Sequence, residues 1–423
     1  MGSDLRKRIL FTLLVLVIYR LGTYIPLPGI DSGIIEDFFL KKNNSVFGML
    51  NMFSGGAFQR MSIFALNIMP YITASIIIQL LGSVYKSLEN LRKDGEAGRR
   101  KLNQYTKLLT LGLGFFQSLA IYYTFSGLEQ SAFVNKSQVF LWTTVFSLLS
   151  STMLVMWLGD KITHQGVGNG ISLLIFFGIV AELPESIVEI FKLSRSGQYS
   201  NALVCGILLL IVALIMFVVY MERALRNVKV QYSNTRASMM SDGQSTLSQI
   251  PLKLNVSGVI PPIFASSIIM FPVMITQFFG KEETVSKISG MLTRGSVLYM
   301  LLFACGVVFF SFFYSSIVFN TEELSDNLKK SNCFVPGIRP GKSTAEYFQN
   351  ILNRLTFVGS LYLTFVCIVP DILFAKYSVQ LTIGGTSLLI IVSTVIDLVT
   401  QVQAHIFSEK YNSVNKRRKI RIR

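Results

Sequence analysis

The 423-residue sequence has few of the residues that enzymes use for chemistry. It contains four cysteines and two histidines. No two cysteines have the spacing of zinc ligands, and His164 and His405 each lack a nearby serine, cysteine or paired carboxylate at a helical spacing. The sequence also lacks a phosphate-binding loop, a dinucleotide fingerprint and a zincin motif. We therefore expect no catalytic residue, no metal site and no cofactor.

Charged residues are scarce as well, at 15% of the chain against 51% hydrophobic residues. This balance is typical of a multi-pass membrane protein. Arg20 and Asp397 are the charges that we assign to the interior of spans, fewer than a proton- or ion-coupled transporter needs. The sequence therefore favours a channel over the alternative, a ten-span secondary transporter of a small solute. The apolar windows of near-spanning length are 9–28, 67–84, 107–125, 139–158, 170–189, 202–221, 256–279, 297–319, 355–373 and 381–402.

These ten windows predict an all-α polytopic membrane protein with ten transmembrane helices. The ten spans divide into two pseudo-symmetric halves of five. Because five is an odd number of crossings, the second half enters the membrane from the opposite side, as inverted repeats do. We place the N-terminal half at 1–190, an external hinge loop at 191–200 and the C-terminal half at 201–423. Two internal loops, 222–254 and 320–354, are longer than a crossing requires, and long ordered loops often carry function.

The basic residues lie mostly on one side of this predicted topology. The connections that share a side with the termini carry 28 of the 39 lysines and arginines and 12 of the 23 acidic residues, and therefore the whole net charge of +16. By the positive-inside rule this side is cytoplasmic, together with both termini and the basic C-terminal tail. Topology alone explains this charge, and so does a docking surface for an acidic partner such as ribosomal RNA or an acidic motor.

Residues 45–81 are apolar but too long for one span, and they are interrupted twice. Ser54-Gly55-Gly56 breaks the first half, because glycines inside a helix destabilise it. Asn67 and Pro70 break the middle, because a proline inside a helix removes a backbone hydrogen bond and kinks or ends the helix. The simplest interpretation is a re-entrant half-helix at about 46–66 that dips into a protein-lined cavity, followed by a span from about Asn67. Such elements occur where a membrane protein encloses a pathway.

Motifs along nearly the whole chain resemble those of the SecY family, the central subunits of bacterial protein-translocation channels. Each motif is weak alone, but together they are highly specific. The resemblance implies ten spans in two halves hinged after span five. It also implies a channel that passes unfolded secretory polypeptides across the bacterial plasma membrane and releases transmembrane segments sideways into it. The motifs include Phe53-Ser54-Gly55-Gly56-Ala57, Gly168-Asn169-Gly170-Ile171-Ser172, Ile260-Pro261-Pro262-Ile263, Gly337-Ile338-Arg339-Pro340-Gly341 and Gly384-Gly385-Thr386-Ser387.

The resemblance also assigns the parts that close such a channel. A ring of isoleucines forms its narrowest point, although spacing alone favours ordinary packed or lipid-facing isoleucines. A plug fills the external funnel below the ring, and its Ser54-Gly55-Gly56 stretch is expected to give flexible attachment. The implied ring residues are Ile68, Ile72, Ile171, Ile175, Ile263 and Ile390. The implied plug residues are Ser54, Gly55, Gly56, Ala57, Phe58 and Arg60.

The lateral gate implied by the family lies between spans two and three on one side and spans seven and eight on the other. Its polar residues are expected to face each other across the seam, although generic interhelical packing explains them as well. These residues are Thr73, Gln79, Asn255, Ser266 and Ser267.

Basic residues of the long cytoplasmic loops are expected to dock the motor ATPase SecA or a translating ribosome. They are Arg339 in the 320–354 loop and Arg223, Arg226, Lys229 and Arg236 in the 222–254 loop. The other implied partners are the SecE and SecG subunits, polypeptides that carry signal sequences, and membrane lipids.

Asn67 departs from the family pattern, in which a glycine is expected beside the ring. Its amide would either hydrogen-bond across the closed pore or cap the helix that follows the break. A membrane insertase or scaffold without a pore is a third interpretation of the whole chain, and it predicts no conductance after deletion of the plug.

Overall fold

The computed structural model describes residues 3–30, 33, 51, 54–126, 138–195, 200–232, 247–279, 296–377 and 384–421. Almost all of the regular structure in these residues is helical. The helices are α1 (Ser3–Gly22), α2 (Met69–Val84), α3 (Lys86–Lys93), α4 (Gly95–Ser126), α5 (Gln138–Gln165), α6 (Gly170–Arg195), α7 (Asn201–Arg223), α8 (Ile260–Phe279), α9 (Val297–Val318), α10 (Thr321–Lys330), α11 (Lys342–Tyr377) and α12 (Gly385–Arg421). The strands are β1 (Leu225–Tyr232), β2 (Leu247–Lys253) and β3 (Cys333–Phe334).

Each of the ten predicted windows overlaps one of these helices. By length and composition, six helical stretches in the described residues could cross a membrane: Gln138–Gln165, Gly170–Val188, Asn201–Arg223, Val297–Lys330, Lys342–Leu373 and Gly385–Lys410. Helices α2 and α3 meet the same criteria only together, and they are bent by 105° at Tyr85, so they count as at most one broken span. The molecule is therefore a multi-pass helical membrane protein, and the count of ten spans stays a prediction.

Helix packing joins the elements into two groups with contacts between them. In the N-terminal part α4 packs on α2 and α5, and α5 packs on α1 and α6. In the C-terminal part α9 packs on α8 and α11, while α12 packs on α11 and α7. The groups meet where α6 contacts α7 and α12 and where α8 contacts α2 and α4. Pseudo-symmetry between the two halves stays a prediction.

The predicted hinge loop at 191–200 is wrong in its first half. Helix α6 continues to Arg195, and Ser200 already stands at the N-cap of α7; residues 196–199 lie outside the described residues. The apolar window ends before the helix does, because the last turns of α6 carry polar and charged residues. A connection between the halves is therefore shorter than the sequence predicts.

The predicted count of charges within spans is also wrong. Glu182 lies inside the apolar stretch Gly170–Val188 and is 8% exposed, and Asp371 lies inside Lys342–Leu373 and is 6% exposed. Asp397 behaves differently: its carboxylate lies 3.8 Å from Lys253 Nζ, and both side chains are about 60% exposed. The sequence analysis assigned the two buried acids to loops, so it underestimated the polar content of the helical interior.

The two long loops fold together into one small sheet. Strand β1 pairs antiparallel with β2 and β3, in the order β2-β1-β3, so residues of the 222–254 and 320–354 loops share hydrogen bonds. Alternate residues of β1, Val228 and Val230, are buried with Val335 and Phe348 in a separate hydrophobic cluster. This arrangement makes the sheet a rigid base for the side chains on its other face.

Candidate pore, plug and lateral seam

The predicted plug segment is made of turns where the structure describes it. Residues 55–61 and 63–68 are turns, only Asn51 and Ser54 are helical, and 46–50 and 52–53 lie outside the described residues. The predicted half-helix is therefore wrong for 55–66. Two backbone hydrogen bonds tie the segment to the stretch that follows α1: Leu27 N donates to Met61 O (3.0 Å) and Ile63 N donates to Ile25 O (2.9 Å).

Ser54 organises the start of this segment. Its hydroxyl donates to Asn51 O (3.0 Å) and accepts from Phe58 N (3.0 Å), and both Ser54 and Phe58 are 1% exposed. Ala57 and Met61 are fully buried as well. The segment is thus a packed and internally hydrogen-bonded unit.

Gly55 and Gly56 are required by geometry. Their φ angles are 65° and 76°, in the left-handed region that favours glycine. A Cβ on Gly55 would lie 2.8 Å from the Cα of Gly178 in α6, so the two backbones touch. Flexible attachment, the sequence-based expectation for these glycines, stays untested. The structure accounts for both of them by backbone conformation and close approach.

Asn67 has a left-handed φ of 48° and is 2% exposed. Asparagine is one of the few residues that tolerate this conformation, which is why it can replace the expected glycine. The N-cap of α2 is Ile68, and it has no side-chain capping bond. The capping role considered for Asn67 is therefore wrong, and a hydrogen bond across the pore stays a prediction.

The six candidate ring residues all belong to one hydrophobic cluster at the centre of the molecule. Ile68, Ile72, Ile175 and Ile390 are buried, while Ile171 and Ile263 are partly buried and pack against the cluster. The cluster also contains many other apolar side chains, including some from α1, α5, α7, α9 and α11. The six residues therefore lie in one apolar cluster, and their assignment to a waist stays a prediction.

The hydrogen bonds of four of the five candidate gate residues stay within their own helices. Thr73 Oγ1 donates to Met69 O (3.1 Å), and Gln79 Nε2 donates to Ser75 Oγ (3.1 Å). Ser266 and Ser267 both donate to Ile263 O, at 2.9 and 2.8 Å. Among the described residues none of these four hydrogen bonds crosses the seam, and the expectation that the side chains face each other across it stays a prediction.

Asn255 is part of a network inside the C-terminal part. Its amide donates to Glu222 Oε1 (2.7 Å) and to Gly258 O (3.1 Å), and Tyr362 Oη donates to the same Glu222 oxygen (3.3 Å). Glu222 at the end of α7 therefore joins Asn255 to Tyr362 of α11. Glu222 stands at the end of an apolar window, where the sequence analysis took it for a loop residue.

Arg92 makes the contact across the seam that the sequence analysis missed. Its guanidinium donates to Ile317 O in the last turn of α9, and a cation there satisfies a carbonyl that the helix leaves free. Arg92 follows the bend between α2 and α3, so the contact links the N-terminal group to α9. The sequence feature that could have indicated this contact is a basic residue just after a broken span.

The candidate docking residues lie on or beside the sheet. Arg223, Arg226, Lys229 and Arg339 are exposed, and Arg236 lies outside the described residues. Arg339 stands in a turn between Gly337 (φ 81°) and Gly341 (φ 106°), and its carbonyl accepts a hydrogen bond from Thr344 Oγ1 (2.9 Å). The turn therefore holds its guanidinium outward on a fixed backbone.

Apolar helices around a shared hydrophobic cluster, with a buried turn segment that leads into it, define a multi-pass helical membrane protein. Solved structures share this fold: "The structure of a protein conducting channel" aligns with a TM-score of 0.71 at 17% identity, covering 97% of this chain and 94% of that one. "Sec61 in the Canine ribosome-channel complex from the endoplasmic reticulum" aligns with a TM-score of 0.68 at 17% identity over the same shares.

Sequence comparison gives the family. The profile of the SecY family matches residues 62–399. The "Protein translocase subunit SecY" of Rickettsia conorii is 45% identical over 99% of this chain and 98% of its own length. The subunit of the same name from Escherichia coli is 44% identical over 98% and 95%. The chain belongs to the SecY family, and it is a protein-conducting channel subunit of a protein translocase.

Proposed function

We propose that this chain forms the pore through which unfolded secretory polypeptides cross the bacterial plasma membrane, with a lateral exit for transmembrane segments. The observation that carries the proposal is the buried turn segment 54–68, which leads directly into the hydrophobic cluster of the candidate ring. A segment held in place by a few hydrogen bonds can move aside and return, as a plug must.

The isoleucine ring suits a pore that handles many substrates. Branched apolar side chains exclude water from a narrow waist and so limit ion flow. They form no specific hydrogen bond, so they part around a chain of any sequence. Ile68, Ile175, Ile263 and Ile390 come from four different parts of the fold, which is what a ring requires.

The lateral gate is proposed between α2 and α4 on one side and α8 and α9 on the other; α8 contacts α2 and α4, and Arg92 of α3 bonds to α9. A hydrophobic signal sequence that enters this seam replaces the apolar contacts between the helices with apolar contacts of its own. The free energy needed to open the seam is therefore small. Arg92 at one end of the seam is the polar contact that must break.

The partners are proposed from the charge distribution and the exposed turn of Arg339. The basic side is assigned to the cytoplasm with both termini, where SecA or a ribosome would dock, and SecE and SecG would complete the complex. The structural neighbours support a ribosome partner, since one is named as a ribosome-channel complex. Arg339→Glu should impair SecA-driven transport into inverted vesicles more than ribosome-coupled insertion, and equal transport by parent and variant would contradict the docking role.

The pore itself is tested by crosslinking a stalled translocating polypeptide to single cysteines at the six ring positions. All six should crosslink, while a cysteine at the exposed Leu209 of α7 should not. Topology is tested by labelling cysteines at Lys93 and Lys281, which should react from opposite sides of the membrane. Labelling of both from one side would contradict the ten-span arrangement.

A further inference from the structure

Two arginines share one tyrosine at the edge of the plug segment. The guanidinium carbons of Arg20 and Arg60 lie 4.8 and 4.5 Å from the centre of the Tyr24 ring. Arg20 also donates to Tyr24 Oη (2.9 Å) and to Gly55 O (3.2 Å). The plug therefore brings its own cation, Arg60, to the same tyrosine as Arg20 at the end of α1. The two guanidinium carbons lie no more than about 9 Å apart, and like charges at such a separation repel.

A buried carboxylate stands beside them. Glu182 of α6 is 8% exposed, and its Oε1 lies 3.0 Å from the position of a Cβ built on Gly56. The same Cβ would collide with Arg60 Nη2. The Glu182 carboxylate and the Arg60 guanidinium therefore lie next to each other in the space that a side chain at Gly56 would fill.

Helix α6 is shaped to receive the plug at this place. Gly178 lies one turn before Glu182 and allows the Gly55 backbone to approach closely. The next acidic residue of the helix, Glu185, is exposed. The helix thus presents the close backbone contact at Gly178 and the buried acidic side chain of Glu182 to a segment that carries the cation Arg60.

We propose that Glu182 is the positioning residue that keeps the plug seated, because its carboxylate balances the guanidiniums of Arg20 and Arg60. Without this charge, Arg60 faces Arg20 with no counter-charge and the closed position is electrostatically unfavourable. Without Arg60, Arg20 and Glu182 still balance each other. The inference rests on the proposed role of residues 54–68 as the plug.

The experiment compares resting ion conductance of the complete translocase complex in planar bilayers. We expect Glu182→Gln to raise the resting conductance at least fivefold over the parent, and Arg60→Gln to raise it less. The double variant should return close to Arg60→Gln, because the repulsion disappears with the plug cation. Glu185→Gln, three residues along the same helix and exposed, is the matched control and should resemble the parent.

The outcomes separate charge balance from a merely structural role. A double variant at least as conductive as Glu182→Gln, or a Glu182→Gln conductance equal to that of the parent, would overturn the proposal. If Glu182→Gln alone does not accumulate in the membrane, Arg60→Gln should restore its accumulation, and failure of this rescue would overturn it as well. Deletion of residues 54–60 reports on the plug separately, since an unchanged conductance there contradicts the plug assignment itself.

Discussion

The plug segment and the lateral seam are held in different ways. Residues 54–68 are tied to the rest of the N-terminal part by backbone hydrogen bonds, by the Arg20 contact to Gly55 and by the backbone approach of Gly55 to Gly178. At the seam, Thr73, Ser266 and Ser267 bond within their own helices, and among the described residues Arg92 supplies a side-chain hydrogen bond across the seam.

This difference follows from what each part must do. In the proposed function the plug returns to one place after each opening, and directional contacts such as hydrogen bonds and a fixed φ specify a place. The proposed seam admits hydrophobic segments of many sequences, and contacts without direction allow it to open by any amount. Polar substitutions should therefore affect the two regions by different routes, and the following four predictions test this from the largest expected effect to the smallest.

The largest effect is expected for Gly55→Val. A branched side chain at φ 65° costs about 1–2 kcal/mol from the left-handed conformation alone. Its Cβ would also lie 2.8 Å from Gly178 Cα, so the plug cannot seat. Resting conductance should approach that of a channel without its plug. Gly206→Ala is the control, because a Cβ there meets nothing within 4 Å, and a silent Gly55→Val would contradict the seating geometry.

Ile390→Asn should act nearly as strongly, by a different route. Ile390 is 3% exposed in the central cluster, and an amide left imperfectly paired there destabilises the closed state by about 1–3 kcal/mol. Since 1.4 kcal/mol is about tenfold in population, the channel should open for weaker signals. The measurement is export of a reporter whose signal-sequence core has been shortened. Export no better than that of the parent, with normal substrates still transported, would remove Ile390 from the waist.

The sequence predicted the helices well, because ten apolar windows leave few alternatives, and its motifs identified the family. It could not show why Gly55 is a glycine, because the reason is the backbone of Gly178, more than a hundred residues away. The partner of Asn255 was hidden for the same reason, since Glu222 meets it only after β1 and β2 pair. Glu182 was visible within its window, but the sequence analysis assigned only Asp397 among the acids to the interior of a span, which concealed it.

Arg92→Gln should have a moderate effect confined to the seam. Losing the cation at the end of α9 removes about 0.3–1 kcal/mol from the closed seam. Export of the reporter with a shortened signal should therefore rise about two- to fivefold, while resting conductance stays close to the parent because the plug is untouched. Arg100→Gln is the control, as Arg100 pairs only with the exposed Glu96 one turn away among the described residues. If Arg92→Gln raised the resting conductance as much as Gly55→Val does, the seam and the plug would not close the channel independently.

The smallest effect is expected when Ser266→Ala and Ser267→Ala are combined. Both hydroxyls donate to Ile263 O within α8, so these bonds persist whether the seam is closed or open. A bond present in both states shifts no equilibrium between them, and export of the shortened-signal reporter should change by less than about twofold. Hydrogen bonds across the seam, each about 0.6–2 kcal/mol between membrane helices, would instead change it from about threefold to more than tenfold. The same pair of substitutions therefore decides between a seam that is closed by apolar contact and one that is closed by polar contacts. A large change would show that the serines rotate to bond across the seam in the resting channel.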